Sequence, residues 1–270
     1  MNFLKILYSL FIAVVLVACA SQKVNQSSND RLYKKGNNEL NSKYTVYHIN
    51  DSVSQLFYEL SNDVLIYKKT DTSNYFYCDV KLQLQVKLED KLDQIINTES
   101  IKIIDRQTDA ITKYLNGSIY FKLKKDHNYY IDINVIDNHK KTIYHHNLYS
   151  NKESVNSRQN FLVYNSRQEV LFNSYYKPDD VVYIQSFRNK EKLYEVDFFE
   201  ANFRLALPPF SVEPMQHFSY KPDSTFSVYE KNGLIELALP QKGFFHLKTN
   251  NATKEGVTFY VYESSYPKIK

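Results

Sequence analysis

From residue 43 onward, apolar and polar residues alternate with a period of two. That is the period at which side chains take opposite faces of a β-strand. The clearest stretch is residues 75–88. Phe76, Cys78, Val80, Leu82, Leu84, Val86 and Leu88 share one face, and Tyr75, Tyr77, Asp79, Lys81, Gln83, Gln85 and Lys87 share the other. This predicts a long strand with one dry and one wet face, as antiparallel sheets have. Ile119, Phe121 and Leu123 repeat the pattern after Asn116-Gly117, and Tyr129, Ile131, Ile133 and Val135 repeat it again. Asp137-Asn138-His139-Lys140 predicts a turn, with residues 142–149 returning as the partner strand. Residues 44–48, 55–60 and 64–67 supply shorter strands. About seven strands at this spacing predict a β-sandwich over residues 43–150.

Residues 150–158 are polar and interrupt the alternation, which places a domain boundary there. A second series follows at 160–164, 181–187, 193–199, 225–229, 234–239, 244–248 and 257–262, so residues 151–270 predict a second sandwich. Lys242-Gly243 reads as a tight turn. Residues 90–97 and 165–171 each read as one short helix. The expected fold is therefore all-β, with two tandem antiparallel Ig-like β-sandwich domains.

The N-terminus has a different pattern. Lys5 precedes an apolar run from Ile6 to Val17, and Leu16-Val17-Ala18 leads into Cys19. A charged start, a short apolar stretch and small residues at the cut form a secretory signal. The run is shorter than the roughly 20 residues of a membrane span. With cysteine directly after Leu-Val-Ala, the segment resembles a bacterial lipoprotein signal. The resemblance implies cleavage after residue 18 and acylation of Cys19, and several acyl chains on one residue give stable anchoring. Residues 19–42 are rich in Ser, Asn, Gln and Lys and read as a flexible tether.

Composition narrows the classes. Losing Lys5 with the leader lowers the net charge from +4 to +3, and no Lys/Arg cluster stands out, so nucleic acid is not an expected partner. Twenty-four Tyr and 17 Phe stand against no Trp and five Gly. With Cys19 acylated, Cys78 is the remaining thiol, so no disulfide forms within the chain. Its place on an apolar strand face makes it a structural cysteine.

The order of local patterns resembles the N-terminal part of the GWxTD-domain lipoproteins of Bacteroidota. The matching stretches are Val46-Tyr47-His48-Ile49-Asn50-Asp51-Ser52-Val53-Ser54, Tyr129-Tyr130-Ile131-Asp132-Ile133-Asn134-Val135-Ile136-Asp137 and Arg158-Gln159-Asn160-Phe161-Leu162. Leu207-Pro208-Pro209-Phe210 and Glu255-Gly256-Val257-Thr258-Phe259-Tyr260-Val261 complete them. The Gly-Trp-x-Thr-Asp motif itself is absent. The resemblance implies two β-sandwich domains on an outer-membrane lipid anchor and carries over no catalytic residue.

Candidate chemistry is sparse. His139, His145 and His146 lie near one hairpin, but adjacent strand residues face opposite ways, so no metal site is expected. Glu89, Asp90 and Asp93, and Asp179 and Asp180, cluster in sequence and read as solvated turn acids. A glycosidase pair must instead face across a cleft. No nucleophile elbow, zinc-protease helix or phosphate loop occurs. Asp51-Ser52-Val53 and Asp223-Ser224-Thr225 match the short acceptor pattern of Bacteroidota O-glycosylation, at Ser52 and Ser224.

The long connection over 208–223 holds Phe210, Met215, Phe218 and Tyr220 between prolines. Long loops in compact domains are commonly functional, and aromatic and Met residues are typical of interface cores. These four residues are the expected partner surface. The competing expectation is that they plug the end of the sandwich.

The expected function is that of a non-enzymatic outer-membrane lipoprotein that scaffolds an envelope protein complex, without cofactor. The alternative is a glycan-binding lipoprotein using exposed aromatics such as Tyr75 and Tyr77. Ala20-Ser21-Gln22-Lys23 lacks an acidic run resembling a surface-export signal, which favours the periplasmic side.

Overall fold

Each alternating stretch becomes a strand, because only pairing with neighbours satisfies its backbone while one face stays dry. The computed structural model describes residues 40–69, 75–107, 113–154, 156–187, 193–200, 221–249 and 256–262. In the first half these form β1 (Ser42–His48), β2 (Val53–Ser61), β3 (Lys68–Lys69), β4 (Phe76–Leu88), β5 (Lys91–Gln107), β6 (Tyr114–Lys122), β7 (Asn128–Asp137) and β8 (Thr142–Asn151). One sheet runs β1-β2-β6. The other runs β3-β4-β7-β8, with β5 paired to β4. All these pairings are antiparallel.

The dry faces of the two sheets meet in one apolar core. Leu56, Leu60, Ile119 and Phe121 come from the first sheet, and Cys78, Val80, Leu82, Leu84, Ile131 and Ile133 from the second. Cys78 is fully buried, as its register predicts. Burying a Leu or Ile fully is worth about 1.5–3 kcal/mol, so this core dominates the local energetics.

Three local expectations are overturned. Residues 90–97 are not a helix. They form a turn and the start of the 17-residue β5, whose first residues bulge where Lys87 pairs with Ile95 and Leu88 with Lys91. Residues 165–171 are a turn closed by Gln168 N–H to the Asn165 carbonyl at 3.0 Å, with Tyr164 bridging Val170. Residues 64–67 precede the short β3 instead of forming a strand, and the Leu65 N–H bonds the Asn62 carbonyl at 3.2 Å. Asn116-Gly117 lies inside β6. Gly117 pairs with Tyr58, and a Cβ there would collide with the Tyr58 hydroxyl.

The second half contains β9 (Phe161–Tyr164), β10 (Tyr175–Tyr176), β11 (Asp180–Ser186), β12 (Leu193–Phe199), β13 (Ser224–Lys231), β14 (Leu234–Leu239), β15 (Gly243–Thr249) and β16 (Val257–Val261). They pair as one path, β10-β16-β15-β12-β13-β14-β11-β9. β13 joins the two halves of the path: residues 224–229 pair with β12, and residues 230–231 pair with β14. The sheet folds over a second core that includes Phe161, Ile184, Val196, Leu237, Phe245, Leu247 and Phe259. One pair departs from the antiparallel expectation, since β10 runs parallel to β16. Asn232-Gly233, with φ of 54° and 82°, makes the two-residue hairpin between β13 and β14.

The polar stretch between the cores is ordered by side-chain hydrogen bonds. Asn151 Oδ1 accepts the N–H groups of Glu153 (3.1 Å) and Ser154 (2.9 Å). The Asn160 amide donates to the Ser154 carbonyl (2.9 Å) and Ser157 Oγ (3.0 Å). Tyr47, on the outer side of β1, is buried at this junction, and burial with the nearby Tyr164, Tyr194 and Glu230 pushes its hydroxyl pKa up. No helix among the described residues is long and apolar enough to cross a membrane. Cys19, Phe210, Met215, Phe218 and Tyr220 lie outside the described residues.

Candidate functional site

The outer face of β10, β16, β15 and β12 is the most unusual surface among the described residues. Its composition follows from strand register. Phe245, Leu247, Val257, Phe259, Val261, Val196 and Phe198 point into the core, so the residues between them point outward. Cross-strand pairing then sets the outward residues in rows. Tyr175 lies opposite Tyr260, Tyr260 opposite Phe244, and Phe244 opposite Phe199. The next row is Thr258, His246, Asp197 and Thr225. Beyond it stand Lys248, Glu195 and Ser227. An aromatic row thus runs beside a polar one.

The aromatic rings touch one another. Centroids of Phe244 and Tyr260 lie 4.6 Å apart. Tyr175 meets Tyr260 edge-on at 5.5 Å. Tyr262 extends the patch on β16, its ring 6.3 Å from Tyr260 with only 16° between planes. Tyr175 keeps 60% of its surface in solvent. Clusters of partly exposed rings such as this one mark interaction sites more often than the rest of a surface does.

The polar row is internally tied. His246 Nδ1 pairs with Thr258 Oγ1 at 2.9 Å. Thr225 Oγ1 donates to Asp197 Oδ1 at 2.7 Å, and Lys248 Nζ donates to Asp197 Oδ2 at 2.5 Å. Lys248 also reaches Glu195 at 3.7 Å. Burial pushes the Asp197 carboxyl up, but the hydrogen bonds from Lys248 and Thr225 and the Lys248 charge outweigh it and hold its pKa below the ordinary value. Asp197 is therefore a fixed carboxylate. Its neighbouring acid, Glu195, sits two residues away on the same strand of an open face. Such a pair can orient a ligand, but it cannot grip a bond from two sides as glycoside cleavage requires.

The expected site residues scatter. Ser52 is exposed in the β1–β2 turn, its N–H held by Asn50 Oδ1 at 2.8 Å. Ser224 is exposed at the start of β13. Tyr75 is partly exposed beneath the Arg106 guanidinium, 5.2 Å away. His139 packs edge-on against Tyr77 at 4.9 Å, His145 bonds Asn134 at 2.6 Å and His146 bonds Ser42 at 3.0 Å, so the three do not converge. No group of metal-ligating side chains occurs among the described residues. Asp180 Oδ2 accepts the Lys177 N–H at 2.8 Å, which is turn chemistry. Phe210, Met215, Phe218 and Tyr220 lie outside the described residues, and only the residues flanking them are described. β12 ends at Phe199, and the Glu200 N–H bonds Asp223 at 2.7 Å.

One constellation has no signal in the sequence. His48, Ser54 and Lys152 are fully buried at one end of the first core. Ser54 Oγ lies 2.8 Å from His48 Nδ1 and accepts from Lys152 Nζ at 3.1 Å. His48 Nε2 reaches the Asn151 carbonyl at 3.1 Å. The residue types suit an activated serine. The oxygen, however, is sealed from solvent, and the group ties the β1–β2 turn to the end of β8. With Lys152 98 residues from Ser54, only the fold brings it there.

No family model matches the sequence. No curated protein matches it either. Among solved structures, red sea bream transglutaminase is similar at 10% identity with a TM-score of 0.28, over 88% of this chain and 34% of that one. The chain thus spans about a third of that protein's length, and a likeness at this level bears on neither fold nor chemistry here.

Proposed function

We propose that the protein is a non-enzymatic binding subunit of a bacterial envelope complex, held at the outer membrane by acyl chains on Cys19 and facing the periplasm. Its partner is another envelope protein, bound on the outer face of β10, β16, β15 and β12. The observation that carries this reading is the row Tyr175, Tyr260, Phe244 and Phe199, with Tyr262 beside it, left in contact with solvent next to fixed polar groups. Tyr is favoured at interfaces because one side chain offers apolar area and a hydrogen bond. Phe210, Met215, Phe218 and Tyr220 lie outside the described residues and are kept as proposed partner residues on their sequence alone. The resemblance to the GWxTD-domain lipoproteins agrees with a tethered β protein of this kind.

The test is affinity purification of the full, acylated chain from membranes, against a variant with Tyr175, Tyr260 and Tyr262 all changed to Ser. Wild type should co-purify envelope proteins that the triple variant loses while remaining folded. Equal recovery by both sinks the assignment. Cys19→Ala should abolish acyl labelling. Ser52 and Ser224, exposed near turns, are the proposed O-glycan acceptors, and the intact mass of periplasm-derived protein checks them.

A second reading is favoured by one detail. Tyr260 and Tyr262 stand nearly parallel beside the hydroxyl of Thr258 and the imidazole of His246, an arrangement suited to a sugar chain laid along β16. A glycan array run on wild type and on Tyr260→Ser separates it from the protein-partner reading, since only binding lost in the variant belongs to this face.

A further inference from the structure

The other half of the second sheet carries a cavity of a different character. It lies on the outer face of β9 and β11, with a volume of about 360 Å³. Its walls include Tyr164 and Tyr183, which sit opposite each other across the β9–β11 pair. Gln185 follows two residues beyond Tyr183 on the same face, and the 165–168 turn closes the rim with Ser166 and Gln168. Leu234, the first residue of β14, completes it.

Among the described residues, every polar side chain lining this cavity is an amide or a hydroxyl; none is a carboxylate, an ammonium or a guanidinium. An ionic ligand would find no counter-charge among these lining side chains and would lose hydration without repayment from them. Two phenol rings and a Leu supply apolar walls. Amides and hydroxyls supply donors and acceptors at fixed places. The volume lies at the small end of ligand pockets, which run from about 300 to 1,000 Å³.

The polar groups are already aimed. The Tyr164 hydroxyl donates to Gln185 Oε1 at 3.0 Å, which fixes the amide and leaves its Nε2 hydrogens to donate elsewhere. Asn165 is committed to the rim itself. Its Oδ1 accepts the N–H groups of Arg167 (2.9 Å) and Glu169 (3.0 Å), and its amide donates to Glu169 Oε2 at 2.6 Å. The turn is thereby held in shape, with Gln168 at φ 61° and exposed. Loose surface amides would not be pinned in this way.

We infer that this cavity is a binding site for a neutral saccharide of one or two sugar units. Sugar rings have apolar C–H faces that stack on aromatic side chains, and hydroxyls around their edge that pair with amides. That is the chemistry the cavity presents. The site lies on different strands from the aromatic row and does not depend on it.

The experiment is ligand-observed NMR on the folded soluble chain lacking residues 1–18 and carrying Cys19→Ser. The probes are maltose, cellobiose, chitobiose and mannobiose, with glucuronate and the dipeptide Gly-Gly as controls. At least one neutral disaccharide should show saturation transfer with a Kd near about 1 mM, a typical strength for few contacts. Gln185→Ala and Tyr183→Leu should each weaken it about tenfold, while Tyr260→Ser leaves it unchanged. Urea midpoints of the variants confirm that they remain folded, and Ser166→Ala offers a milder change should Tyr183→Leu unfold. Transfer to no neutral saccharide overturns the inference. So does tighter binding of Gly-Gly or glucuronate, or loss of sugar binding only in Tyr260→Ser, which would move the site to the other face.

Discussion

The outer surfaces of the first and second β units differ in emphasis: both expose touching rings, Tyr130 with Tyr149 on the first and the Tyr175–Phe244 row on the second, but cross-strand charge pairs are spread over the first. On the first, charges pair across strands: Lys43 with Glu59 at 2.8 Å, Lys87 with Asp132 at 2.8 Å and Lys102 with Asp79 at 3.1 Å. Exposed pairs of this kind add at most about 1 kcal/mol each, and their effect is to keep the face wet. On the second, Lys248 pairs with both Asp197 and Glu195 on one spot beside rings that touch each other. Beneath these surfaces the cores are alike, built from alternating aliphatic and aromatic residues of facing strands. A surface can therefore be specialised for binding without altering the core that supports it, because alternate strand residues answer to different solvents.

The sharpest way to break this comparison is to damage each core separately. Leu84→Ala and Leu247→Ala each remove a fully buried side chain and should each cost about 2–5 kcal/mol in urea unfolding. Cys78 reports on the first core, since burial raises its pKa and keeps it from reagents. Its modification in a chain carrying Cys19→Ser should speed up in Leu84→Ala and stay slow in Leu247→Ala. Equal acceleration by both would mean that the two cores open together.

The glycines come next. Gly117→Ala pushes a methyl into the Tyr58 hydroxyl and should cost about 1–3 kcal/mol as overpacking. Gly233→Ala meets nothing in space but must hold a φ of 82°, which costs about 1–2 kcal/mol. Thermal melts of both variants should show which unit depends on packing and which on backbone conformation. A larger loss for Gly233→Ala would reverse the argument.

Acid should act on both units more gently. Asp197 and Asp79 have pKa values held below the ordinary carboxylate value although burial opposes it. Lys248 and Thr225 do this for Asp197, and Asn138 and Lys102 for Asp79. A carboxyl depressed in the folded state contributes stability that is complete above its unfolded pKa of about 3.9. That contribution is lost as pH falls through the folded value. The urea midpoint should therefore drop from about pH 5 to pH 3, and Asp197→Asn should flatten its share of that drop. An unchanged acid limb in Asp197→Asn would contradict the ion-pair assignment. The smallest stability change belongs to the rings. Tyr260→Ser and Tyr130→Ser, one in each unit, should each shift stability by only about 0.5 kcal/mol, and only the former should reduce partner binding.

Much of this protein was legible in its alternation. The boundaries of β4, β12 and β14 follow from residues that had to face inward, and the burial of Cys78 follows from the same register. Where local pattern misled, a competing period was present. Leu92, Ile95 and Ile96 have helical spacing, yet residues 91–107 pair with β4, because a free edge beside a long strand offers more hydrogen bonds than one turn of helix. At the site, the sequence pointed to Phe210, Met215, Phe218 and Tyr220, which lie outside the described residues, and gave no sign of the row on β10, β16, β15 and β12. No local pattern could, since the row from Tyr175 to Phe199 is assembled from four strands.

The same dipeptide marks the limit of local reading. Asn232-Gly233 turns the chain between β13 and β14, whereas Asn116-Gly117 runs straight through β6 under the ring of Tyr58. The sequence by itself determined which faces are dry, and hence an all-β chain of paired strands, since a period of two leaves no other way to bury one face. Only the tertiary structure decided which strands became neighbours. Neighbours are chosen by contacts between residues far apart in the chain. They set the aromatic row, the sealed His48–Ser54–Lys152 group and the cavity of phenols and amides between β9 and β11.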